Sequence, residues 1–186
     1  MKTDRFQPHL FLPQPIHPSA RFGRHVRIGY GVVIDAYVVV EDDVFIGHNT
    51  VIRSGVRLCR GAVVGHLVVI EADTVIGRET TVQSQCHVTK GASIGARIFF
   101  GPGAMLINER RIASHKRKIA QRLEGPKVGY GARIGAGALI MPGVDVGSQA
   151  MIGARSIVTR SVPDGEVWFG CPAVCRGYVP EQEMVP

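Results

Sequence analysis

The side chains of this chain that could do chemistry are histidines, cysteines and clustered cations. A neutral imidazole takes up a proton near physiological pH. His87 and His115 are the candidate bases, the first on a repeated strand and the second in a polar basic stretch. His48 and His66 stand 18 residues apart. No third ligand completes a zinc set around them, so they read as exposed corner residues and no metal site is expected. Cys59, Cys86, Cys171 and Cys175 form neither a CxxC pair nor a disulfide framework, which points to a reducing compartment, the cytoplasm. The charge of +7, from 22 Lys and Arg against 15 Asp and Glu, favours anionic partners.

Several function classes fall away on the same grounds. The dense basic stretch, residues 110–122, lacks interleaved aromatics, and no nucleic-acid-binding motif accompanies it, so a phosphate-bearing small molecule is the better partner than nucleic acid. Neither GxxxxGKS nor GxGxxG occurs, the nearest glycine runs being repeat corners. Residues 1–16 are broken by Pro8, Pro13 and Pro15 and hold no apolar run long enough for a signal sequence or a membrane span, so a soluble protein without a membrane partner is expected.

These side chains must be placed by elements, and the elements announce themselves through a period of six. Apolar residues recur from Ile16 through Ile34, Ile52, Ile70, Val88 and Leu106, then from Val128 to Val158, making 22 starts without a polar residue. Four residues after each start comes a small or β-branched residue, such as Ala20, Thr50, Cys86, Ala138 and Ser156, with Ile98 as the large extreme. Nineteen of the 23 glycines sit one or three residues after a start. Strand periodicity puts the two regular positions on one face, so each repeat is a short strand with two inward side chains, and the glycines mark turns. Three strands close a triangular coil of 18 residues, and stacked coils pair each strand with the one above. The expected fold is all-β, a parallel β-helix of hexapeptide repeats over residues 16–162, with an N-terminal arm at 1–15 and a C-terminal extension at 163–186 that cover its open ends.

Leu106 and Val128 are 22 residues apart, three repeats plus four, so the register restarts after a polar, basic excursion at about 109–125. With that loop excised, one wall presents Val33, Val51, Val69, His87, Met105, Leu139 and Ile157 outward. Another presents Arg21, Val39, Arg57, Val75, Ser93, Asp145 and Pro163. An apolar stripe of that length exceeds what a monomer exposes, so self-association through the first of these walls is expected. Ala136 and Ala154, again 18 apart, stack on an outer corner near the C-terminal coils with Arg155 beside them. Small residues there would admit a thin neutral arm, and arginines would hold phosphate.

Two stretches carry more specific information. FFGPGAMLIN, ending at Asn108, is similar to VFxGPxxxFTN, and EGPKVGYGARIGAGALIMPGVDVGSQAMIGARSIVTRSVP is similar to the block after the loop in the same family, the sugar-nucleotide N-acetyltransferases of the hexapeptide-repeat acyltransferase superfamily. The resemblance implies a left-handed coil, a homotrimer, acetyl-CoA as co-substrate and an amine acceptor carried on a nucleotide-linked sugar. It implies Asn108 at the active site, near amine and thioester, where an amide could orient the nucleophile or stabilise the oxyanion. The other reading of Asn108 is a corner residue ending a repeat. His115 or His87 would take the amine's proton, or the amine would lose it without either. Arg160 matches the basic residue of the family's VVTKDVP, here IVTRSVP. The family's GNPAR is replaced by GCPAVCR, with Cys171 and Val174 at the departing positions, and Arg176 is the remaining arginine for the adenosine end. O-acetylation of a sugar or other small alcohol stands second. A non-catalytic β-helix assembly protein or a γ-type carbonic anhydrase relative stands third.

Overall fold

A computed structural model describes residues 15–111 and 123–186. Between Arg21–Phe22 and Ile157–Val158 run twenty-one strands of two residues each. They sort into three parallel sheets, the walls of a left-handed β-helix of about 8 turns. The first wall carries Arg21, Val39, Arg57, Val75, Ser93, Lys127 and Asp145 outward. On the second wall the outward residues are Arg27, Phe45, Val63, Thr81, Phe99, Arg133 and Met151. The third carries Val33, Val51, Val69, His87, Met105, Leu139 and Ile157, the apolar set read from the sequence.

Both regular positions of the hexad point inward. Ile52, Ile70, Ile134 and Ile152 fill the core beside Val56, Thr74, Ala138 and Ser156 at the corners. Polar core residues turn their hydroxyls to backbone: Thr50 Oγ1 donates to the Gly65 carbonyl at 2.8 Å and Thr80 Oγ1 to Gly95 at 2.9 Å. The two glycine positions answer different demands. A Cβ on Gly77 would stand 2.1 Å from the Gly95 carbonyl oxygen of the next coil, so the first position keeps the coils in contact. Gly31 lies at φ 67°, and that left-handed corner recurs every six residues from His25 to Gly103 and from Gly131 to Arg155, with Asp43, Asn49 and Arg155 among the residues that accept it.

Three details differ from the sequence reading. Lys127, not Asp145, follows Ser93 on the first wall, because the chain rejoins the coil in time to form the strand Lys127–Val128. Pro163 is not above Asp145: Val162 pairs with Val146, and Ser161 Oγ accepts the Asp145 N–H at 3.1 Å, so the last coil is two residues short. Near the other end Phe22 and Ile28 are 41% and 38% exposed, so the outermost described coil is only half covered. The expected N-terminal arm lies, except for Pro15, outside the described residues. At the C-terminal end Glu166–Gly170 continues the second wall beyond Met151–Ile152 and turns back as Ala173–Tyr178.

Candidate active site

The excursion begins and ends at one point. Glu109 and Leu123 form an antiparallel bridge, the Glu124 N–H donates to the Asn108 carbonyl at 2.8 Å, and Arg110 Nε reaches Glu124 Oε2 at 2.6 Å. This neck stands on the corner between the third and first walls, where Glu71, Thr89 and Ile107 stack in one column and Ala72, Lys90 and Asn108 in the next.

The polar groups of that corner form one hydrogen-bonded chain across three coils. His87 Nε2 lies 3.0 Å from Glu71 Oε1. Glu71 Oε2 accepts from the Lys90 N–H at 2.7 Å and from Thr89 Oγ1 at 3.2 Å. The Lys90 carbonyl accepts from Asn108 Nδ2 at 3.0 Å, and Lys90 Nζ pairs with Asp73 at 3.2 Å. Burial pushes the Glu71 carboxyl upward, but hydrogen bonds from the Lys90 amide, His87 and Thr89 outweigh it and hold the group below its ordinary value. An ionised carboxylate only accepts, so His87 keeps its proton on Nε2 and presents Nδ1 as the basic nitrogen. Its side chain is 38% exposed, open to a ligand.

Asn108 is buried, and its bond to Lys90 uses one of two amide hydrogens. The other hydrogen and the side-chain carbonyl make no protein hydrogen bond among the described residues. Glu71 was not singled out in the sequence. Its signal was a spacing of 16 from His87, the same spacing that joins Arg57 Nε to Glu41 Oε1 at 2.8 Å on the first wall. His115 lies outside the described residues.

The remaining candidates stand mostly at the opposite edge of the third wall. Ala136 and Ala154 are exposed, one above the other, on the corner between the second and third walls. The column is narrow: a Cβ on Gly135 would come within 2.4 Å of the Ala154 nitrogen, and one on Gly153 within 2.5 Å of Phe169 Cβ. Arg155 is exposed on this corner, and Arg176 stacks its guanidinium 5.4 Å above the Phe169 ring. Arg160 lies beyond the strand Ile157–Val158, on the Asn108 side. One chain therefore brings His87, Asn108 and Arg160 to one edge, and Ala136, Ala154, Arg155 and Arg176 to the other.

His48 and His66 stack as the sequence spacing required, with ring centroids 5.0 Å apart. All four cysteines are free, and burial raises the Cys86 thiol to about 11. Among the described residues no helix is long and apolar enough to cross a membrane.

Comparison with known proteins bears on this geometry. The family model for the bacterial transferase hexapeptide (six repeats) matches residues 37–72, and that for the hexapeptide repeat of succinyl-transferase matches 127–162. A dTDP-3-amino-3,6-dideoxy-alpha-D-galactopyranose 3-N-acetyltransferase of Aneurinibacillus thermoaerophilus is 49% identical over 49 residues, 26% of each chain. A galactoside O-acetyltransferase of Lactococcus lactis is 37% identical over 51 residues, 27% of this chain and 25% of its own. The matched stretches thus span about a quarter of those relatives. The solved structure of the polySia specific acetyltransferase NeuO superposes with a TM-score of 0.66 at 22% identity, covering 86% of this chain and 82% of that one, and shares the fold.

Proposed function

We propose, from the premise that the chain belongs to the hexapeptide-repeat superfamily, that it is an acyltransferase moving an acetyl group from coenzyme A to the amine of a small acceptor, a nucleotide-linked amino sugar. The observation that carries this reading is the continuous bond chain from His87 through Glu71 and Lys90 to Asn108, at the neck of the excursion. It supplies a base of defined tautomer beside an amide with a free donor. His87 Nδ1 takes the proton the amine loses as the C–N bond forms. The Asn108 amide hydrogen stabilises the oxyanion, and the C–S bond breaks as the imidazolium returns its proton to the leaving thiolate. Glu71 is a positioning residue, fixing the ring and its tautomer.

The exposed alanine column suits a thin neutral arm, and Arg155 and Arg176 suit its phosphates, so the residues fit coenzyme A. The two halves of the site sit on opposite edges of the third wall. A cyclic assembly through that wall would bring one edge of each copy against the opposite edge of its neighbour, since ring closure uses unlike surfaces. A homotrimer completes the site in this way, in the cytoplasm where acetyl-CoA is at hand. The match to a galactoside O-acetyltransferase favours hydroxyl acceptors as the second reading.

The test is release of free thiol from acetyl-CoA with a panel of amine and hydroxyl acceptors. His87→Gln and Asn108→Ala should each lower turnover more than tenfold with assembly unchanged. Full turnover in both variants would remove this corner from the site.

A further inference from the structure

A second cluster of rings and donors stands apart from the acyl site. On the corner between the second and third walls, Tyr30, His48 and His66 succeed one another on consecutive coils. The Tyr30 and His48 rings stack at 5.7 Å and 8°, and His48 and His66 at 5.0 Å and 15°. Backbone bonds fix both imidazoles: the Tyr30 N–H donates to His48 Nδ1 at 2.7 Å, and the His48 N–H to His66 Nδ1 at 2.9 Å. A ring whose Nδ1 accepts carries its proton on Nε2. Both histidines are exposed, so the corner offers two N–H donors one coil rise apart.

Ser84 Oγ accepts the His66 N–H at 3.1 Å one coil above the pair, and exposed Asn49 and Leu67 flank it, while an aromatic ring and a cation lie on the wall beside it. Phe45 meets His66 edge-on at 6.3 Å, and the Arg27 guanidinium lies 5.3 Å over the Phe45 ring with no ion pair among the described residues. Tyr30 is 86% exposed, with one ring face on His48 and the other without a ring partner among the described residues.

We propose that this corner binds a nucleoside diphosphate group. Its phosphate oxygens accept from His48 Nε2 and His66 Nε2, Arg27 offsets part of its charge, and its base stacks on the face of Tyr30 turned away from His48. Neutral N–H donors beside a single cation suit a diphosphate ester, and the flat face selects against phosphate alone. The site's use rests on the proposed acyl transfer: it holds the acceptor by its nucleotide end, on the same corner as Ala136 but three coils away, about 14 Å.

The experiment titrates the full chain with UDP, uridine, inorganic pyrophosphate and coenzyme A, by calorimetry and by the ring resonances of His48 and His66. UDP should shift both rings and bind at least tenfold more tightly than uridine or pyrophosphate. His48→Asn with His66→Asn keeps an oxygen where each Nδ1 accepts its backbone N–H but removes ring and donor. It should weaken UDP at least tenfold and leave coenzyme A affinity and the melting midpoint unchanged. Arg27→Gln should weaken UDP likewise without touching the backbone bonds. Equal affinity for UDP and pyrophosphate, UDP binding indifferent to these variants, or ring shifts caused by coenzyme A alone would overturn the proposal. Acetyl transfer without UDP binding would overturn this site alone, and UDP binding without any transfer would overturn the acyl-transfer reading alone.

Discussion

At the scale of single residues, the charge state of Glu71 organises the corner. Its carboxyl lies below the ordinary 4.5 in the folded chain because the bonds from Lys90, His87 and Thr89 outweigh burial. A lowered folded value contributes stability that is present above the unfolded value and is lost as pH falls through the folded one. Glu71→Gln should therefore reduce stability at neutral pH and flatten the loss on acidification below about pH 4.5, as read by denaturant unfolding across that range. An acid limb identical to that of the unaltered chain would contradict the linkage. Asn108 and His87 were legible in the sequence through a motif and a wall. Glu71 was not, because a carboxylate at a turn looks solvated until the coil rise and the lean of the side chain bring it beneath a residue 16 positions on. The left-handed φ values were half legible: glycine advertised Gly31 and Gly103, whereas Leu67 at φ 56° and Tyr37 at φ 62° carried no such sign.

At the scale of elements, a strand of two residues is far too short to hold itself, and its stability comes from the coils on either side. Gly77→Ala tests that dependence, because the added methyl meets the Gly95 carbonyl and must push two coils apart. Destabilisation of about 1–3 kcal/mol by chemical unfolding is expected, and an unchanged midpoint would mean that the coils tolerate wider spacing there. The ladder from Ile34 to Val158 was fully readable, since every start in it faces inward. The short last coil was not. A period read from apolar positions alone continues from Asp145 to Pro163, and only the pairing of Val162 with Val146 reveals the two missing residues. The reason is the turn into Glu166–Gly170, which lengthens into a hairpin strand and leaves the hexad.

At the scale of the whole molecule, one wall is apolar at every outward position but His87, while the first mixes Arg21, Arg57 and Lys127 with Val39, Val75 and Asp145. Leu139 lies midway between Met105 and Ile157 on the apolar wall. Leu139→Asp should convert the proposed trimer to monomers in light scattering and abolish the proposed acyl transfer with it, and an intact trimer would contradict the face assignment. The outward residues of this wall were legible because a period of six assigns faces without knowing handedness. The separation of His87 from Ala136 by its width was not, since it depends on which corner follows which. The rigid step of 18 residues per coil has a last consequence for how such a chain changes length. Whole coils can be spliced in or out like cassettes, moving the proposed catalytic corner up or down the axis without rotating it. Loss of a single hexad instead twists everything downstream by a third of a revolution, swapping the apolar flank for a charged one, so gene-level tinkering here is quantised in full turns.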